Sequence, residues 1–114
     1  MFEKLAAMES KYDEISERFS DPDIVSDNKL YTQLMREFKN MTPIIEKYRE
    51  YKKQLAQNEE AKELLDGGGL DKEFKEMVQA EFEDSRDAME EITQELKILL
   101  LRLSHGHGEW YNRT

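Results

Sequence analysis

Four groups of residues in this 114-residue chain have types and spacings that could do chemistry. His105, His107 and Glu109 near the carboxyl end offer imidazole and carboxylate ligands of the kind zinc takes. Alternate histidines in a glycine-rich stretch are poorly pre-organised, and no second ligand cluster accompanies them, so the expectation is no metal site. Gly67, Gly68 and Gly69 suggest a phosphate cradle, but such a loop needs glycines at fixed spacing and a Lys-Ser or Lys-Thr pair before a helix. Nothing of that kind follows, and a loop between helices is the plainer reading. Asp84, Asp87 and Glu91 line up at helical spacing. Acid–base work would require them in a pocket that shifts their ionisation, whereas a solvated helix face accounts for them as they stand. Finally, Lys47, Arg49, Lys52 and Lys53 surround Tyr48 and Tyr51. A basic run with aromatics can meet an RNA or a protein, and these four cations form the candidate partner-contact surface. An ordinary solubilising face is the competing account.

With no cysteine and no Ser-His-Asp set, the expectation is that the chain is not an enzyme, with no catalytic residues and no cofactor. The net charge of −9 argues against non-specific nucleic-acid binding by the whole surface, and no independent sequence-specific nucleic-acid binding is expected. No apolar run reaches membrane-spanning length, and the opening MFEKLAAMES lacks a basic leader with an apolar core. A cytoplasmic location without a membrane partner is the expectation. The charge is uneven: residues 1–19 carry −2, residues 20–58 carry +1, and residues 59–101 carry −9. Antiparallel pairing of the middle and last segments would therefore be favourable.

The elements that must position these groups are helical. Leu5, Met8, Tyr12, Ile15 and Phe19 recur at spacings of three and four, an amphipathic stripe. The stripe ends at SDPDIVSDNK, where Pro22 lacks an amide hydrogen and disfavours helix in the residue before it. Asp21 or Ser20 can cap a short turn there, Ser26 can cap the next helix with Asp27 in its first turn, and Ile24 and Val25 are expected to pack inward. A second stripe comprises Tyr31, Leu34, Phe38, Met41, Ile45, Tyr48, Tyr51 and Leu55, with Ala61 and Leu64 or Leu65 beyond. It passes through Pro43 with its period intact, which favours one kinked helix over two. Asp66-Gly67-Gly68-Gly69 reads as loop, and Asp71 opens a third helix. Phe74, Val78, Phe82, Ser85, Met89, Ile92, Leu96, Leu99 and Leu103 form its stripe, with Ser85 the weak member. The reading is an all-α fold, a three-helix bundle with a long antiparallel coiled-coil-like hairpin. Its helices span residues 2–19, 27–65 and 71–102, and the period is lost in the tail after Leu101.

Several ordered motifs now stand together: Met1-Phe2 with Lys4-Leu5, SDPDIVSD at 20–27, PIIEKYREYKK at 43–53, EEAKELL at 59–65 and LKILLL at 96–101. They resemble the amino-terminal domain of the bacterial class I peptide chain release factors that read UAA and UAG, with the UGA-reading branch the near alternative. The resemblance covers residues 1–101. It implies a helical domain that contacts the ribosome near the stalk base of the large subunit, as an accessory to translation termination. The codon-reading Pro-x-Thr and the hydrolytic Gly-Gly-Gln motifs of that family lie in later domains, and neither occurs in this sequence. The glycine triplet departs from the acidic connection usual in the family. The tail at 102–114 does not resemble the family's linker, which points to a truncated fragment followed by a flexible, non-native stretch. The alternative from the stripes alone is a structural coiled-coil module that associates with a protein partner or forms a homodimer.

Overall fold

Every segment with a helical period forms a helix, and the breaks fall where backbone chemistry forces them. A computed structural model describes residues 1–106. The elements in order are α1 (Phe2–Arg18), α2 (Pro22–Val25), α3 (Asn28–Gly67) and α4 (Lys72–Gly106), an all-α arrangement.

The corner after α1 is a short helix in its own right. Asp21 caps α2, its carboxylate accepting the Asp23 amide at 2.9 Å, with Pro22 in the first turn where a missing amide hydrogen costs nothing. Ser26 does not cap the next helix as the sequence suggested. It closes α2, and its hydroxyl donates to the Asp23 carbonyl at 3.3 Å. The cap of α3 is Asp27, which accepts the Leu30 amide at 3.1 Å, placing a carboxylate against the positive end of the helix dipole. The expected inward pair also divides: Ile24 is buried, whereas Val25 is 54% exposed. A single helical turn can present only one of two adjacent residues to the core.

Pro43 lies inside α3, which continues through it as one helix, and neither Asn40 nor Thr42 starts a new one. Pro43 removes the donor that would reach the Lys39 carbonyl, and both residues are exposed, so water can take that donor's place. At the far end, Asp66 and Gly67 belong to α3 rather than to the loop. Gly68 (φ 66°) and Gly69 (φ 75°) make the break, because a left-handed backbone just after a helix is cheap only for glycine. Asp71 caps α4 as expected, accepting the Phe74 amide at 2.8 Å. The helix then runs to Gly106, beyond the expected end at residue 102.

The chain divides into two units, Met1–Glu46 with the segment from Ile98 onward, and Lys47–Lys97. The first unit has a broad apolar interior. Leu5, Met8 and Ile15 of α1, Leu34, Met41, Ile44 and Ile45 of α3, and Leu100 and Leu103 of α4 are all buried. Beside them lies an aromatic cluster. Tyr12 stacks on Phe38 with centroids 4.2 Å apart, and Phe19 meets Phe38 and Tyr31 edge-on at 5.3 and 5.5 Å. Thr42 Oγ1 donates to the Phe38 carbonyl at 2.9 Å, which uses its one proton, so the Tyr12 hydroxyl donates to Thr42 at 3.0 Å.

The second unit is a helical hairpin with a thinner interior. Tyr48, Ala61, Val78, Ile92 and Leu96 are its buried apolar side chains. Phe74, expected on the inward stripe, is 43% exposed. Ser85, the weak stripe member, is 1% exposed and fully engaged. Asn58 Nδ2 of α3 donates to Ser85 Oγ and to the Phe82 carbonyl, both at 3.1 Å, and Ser85 Oγ donates to that same carbonyl at 3.1 Å. Burying these groups is tolerable because each finds a partner.

Candidate partner-contact surface

The candidate cations all lie in the second unit, on the stretch of α3 just after Glu46. Helix geometry sorts them into two faces. Arg49, Lys52 and Lys53 stand at i, i+3 and i+4, which puts them on one side, and all three are exposed. Lys47 is two residues before Arg49, about 200° around the helix, and faces the other way.

Lys47 is the inward-turned member. Its ammonium forms an ion pair with Glu95 of α4 and another with Glu50 at 3.4 Å. The hydrogen bond to Glu95 is the main reason its pKa lies above the usual lysine range, with partial burial opposing and Glu50 adding to the rise. Lys47 is therefore a tie between α3 and α4.

The outer face rests on the aromatics. Lys52 Nζ lies 4.9 Å from the ring centroid of Tyr48, whose ring is buried. Tyr51 is half-buried. The ring quadrupole attracts the ammonium and holds it close to the helix surface. Chemically, this face can offer three cations to phosphates or carboxylates, with Tyr48 serving as a floor rather than as a stacking platform.

The other sequence candidates take plain positions. Asp84, Asp87 and Glu91 are exposed on α4, and Arg86 reaches Asp87 at 3.4 Å. Among the described residues no group of three or more His, Cys, Asp or Glu side chains could hold a metal. His105 falls within α4, whereas His107 and Glu109 lie outside the described residues. Around Gly67, Gly68 and Gly69 nothing comes within 4 Å of where a side chain would begin. No described helix is long and apolar enough to cross a membrane.

Two features escaped the sequence reading. The Lys47–Glu95 pair joins residues 48 positions apart, which no local pattern reveals. A shallow groove along α3 in the first unit is lined by Lys29, Thr32, Gln33 and Arg36, and a neighbouring one by Arg36, Lys39 and Asn40 among others. The three- and four-residue spacing of these polar side chains was the available signal.

Comparison with known proteins gives a consistent result. The family model described as the PCRF domain matches residues 8–107. The chain is 45% identical over 101 residues to peptide chain release factor 1 of Caldicellulosiruptor saccharolyticus, covering 89% of this chain and 28% of that protein. It is 40% identical over 109 residues to the factor of the same name from Lactococcus lactis subsp. cremoris, covering 96% and 30%. With that of Listeria welshimeri it shares 43% identity over 101 residues, covering 89% and 28%. The chain thus spans less than a third of the length of these relatives. The family match and the Lactococcus alignment extend past the boundary expected at residue 101, in keeping with the continuation of α4 to Gly106. No solved structure gives a significant match.

Proposed function

The chain belongs to the PCRF domain family, and from that premise we propose that it serves as the accessory, ribosome-contacting domain of a peptide chain release factor. In this reading it acts in translation termination at UAA and UAG codons, in the cytoplasm, and performs no catalysis itself. The observation that carries the proposal is the 45% identity, sustained over 101 residues, to a protein named peptide chain release factor 1. The sequence contains neither Pro-x-Thr nor Gly-Gly-Gln, which supports assigning codon reading and peptidyl-tRNA hydrolysis to other parts of the parent protein. The helical portion, residues 1–101 with the continuation of α4, is the working part.

The ribosomal contact lies toward the stalk base of the large subunit. Arg49, Lys52 and Lys53 provide its basic face, and Lys47 supports that face from within the hairpin. A competition assay tests this: the 114-residue chain in excess slows peptide release by a full-length release factor on stop-codon-programmed ribosomes. Undiminished release at a hundredfold excess would remove the independent binding role. Exposed Ile98 and Leu101 in the first unit favour a second reading, self-association as a homodimer. Sedimentation velocity at several concentrations separates the two, since a tight dimer favours the second and a monomer the first.

A further inference from the structure

One face of α3 in the first unit runs against the charge of the chain. Residues 28–45 hold three basic side chains, Lys29, Arg36 and Lys39, and one acidic, Glu37. At about 100° of turn per residue, the three cations and Thr32 fall within an arc of about 80°. Glu37 lies about 80° to one side of Lys29 and further from the other two. Lys29, Arg36 and Lys39 are exposed, and none has an ion pair or hydrogen-bond partner among the described residues. The Arg49, Lys52 and Lys53 face is different: Lys52 is held at the Tyr48 ring, and Glu50 stands three residues before Lys53. Pro43 belongs to the arc of the first three cations, within about 40° of both Arg36 and Lys39. Having no amide hydrogen, it leaves the Lys39 carbonyl without its helical donor, and both residues are exposed. Three unpaired cations therefore share a face with one backbone acceptor open to solvent.

We propose that this face holds the sugar–phosphate backbone of duplex RNA. Lys29, Arg36 and Lys39 pair with phosphates along about 15 Å of helix, and Gln33 and Asn40 add amide donors beside them. Thr32 contributes little, because its hydroxyl already donates to the Asn28 carbonyl at 2.8 Å. The Lys39 carbonyl accepts a ribose 2′-hydroxyl, which the wide, shallow minor groove of A-form RNA displays close to the phosphates. A protein or lipid partner fits less well. None of the large exposed apolar side chains falls between residues 28 and 45, so the face lacks the apolar centre that such contacts use. The acidity of the remaining chain does not forbid the contact, since screening limits its reach to about 10 Å at 0.1 M salt.

The test needs no ribosome and so stands apart from the ribosomal reading. Fluorescence anisotropy follows binding of the 114-residue chain to a labelled RNA duplex of arbitrary sequence and to its 2′-O-methyl counterpart, which stays A-form but cannot donate from the ribose. Three phosphate contacts predict that log affinity falls with log salt at a slope of about −2 to −3. The variant Lys29→Gln, Arg36→Gln, Lys39→Gln should bind at least tenfold more weakly and with a flatter slope. Its charge-matched control, Lys62→Gln, Lys72→Gln, Lys75→Gln, should lose far less, and circular dichroism verifies that both stay helical. Pro43→Ala restores the amide that occupies the Lys39 carbonyl. It should weaken RNA binding about three- to tenfold and leave 2′-O-methyl binding unchanged. Equal losses in the two triple variants would reduce the effect to net charge and overturn the face. Equal affinity for the two duplexes, or Pro43→Ala binding RNA as the parent does, overturns the role of the carbonyl. No binding of RNA at low salt overturns the whole proposal.

Discussion

The two units share α3 and α4 and hold them in different ways. In the first, several helical segments supply nine buried apolar residues besides Ile24, together with the cluster of Tyr12, Phe19, Tyr31 and Phe38. In the second, two helices supply five buried apolar residues, joined by the polar contact of Asn58 with Ser85 and by the Lys47–Glu95 pair. The difference follows from geometry. A pair of helices can cover only one stripe on each partner, so it cannot assemble a thick core, and specificity must come from groups that tolerate only one alignment.

Substitutions can break this comparison at both ends. The largest effect is expected in the first unit. Leu5→Ala removes a fully buried side chain and should cost about 2–5 kcal/mol in urea unfolding, with a lower midpoint. A loss below about 1 kcal/mol would mean that the site collapses freely, and the unit would then not be the better packed of the two. Next comes Asn58→Leu, which deletes both hydrogen bonds from α3 while Ser85 keeps its bond to the Phe82 carbonyl. A loss of about 1–3 kcal/mol is expected, with amide exchange accelerated in the hairpin more than in α1. Uniform acceleration throughout would show the units to be one cooperative block.

A smaller effect, of opposite sign, is expected at Gly67, which is helical and has open space where a side chain would begin. Gly67→Ala should stabilise by about 0.5–1 kcal/mol, read as a higher thermal midpoint, because alanine loses less backbone freedom on entering a helix. The smallest concerns Lys47. Its pKa is raised in the folded state, so the pair's contribution is complete below the ordinary lysine value of about 10.5 and is lost as the pH rises through the folded value. Lys47→Met should therefore be slightly less stable than the parent at neutral pH, and denaturation curves of the two should converge at strongly alkaline pH. A gap that stays constant through alkaline pH would assign the effect to packing of the lysine stem.

Much of the scaffold was legible because its signals are local. Pro22, Asp21, Asp71 and the positive-φ glycines Gly68 and Gly69 act on their immediate neighbours, and each marks a helix end near where the sequence placed it. The misplacement of the α3 cap from Ser26 to Asp27 is a shift of one residue between two competent capping side chains. Burial was less legible. The stripe of α3 was read from Leu55 to Ala61, stepping over Asn58, although the three-residue period points inward there. Its partner Ser85 stands in the sequence as the weak member of the α4 stripe. Two polar residues on facing stripes are a recognisable sign of a buried polar contact once the antiparallel register is known, but the register itself depends on the loop. The candidate cations divided for a related reason: their clustering in sequence hid the turn of the helix that sends Lys47 toward α4.

The contact between Asn58 and Ser85 also works as a length gauge. Sliding one helix past the other by a heptad would move about 10 Å of chain into or out of the closed end. It would also strand the Asn58 amide against apolar side chains. With that slide disfavoured, the last helical residue, Gly67, stays nine positions beyond the contact. The hairpin thus projects a constant distance beyond its polar clasp, and changing that reach by evolution or by design requires moving the clasp and the glycine loop together.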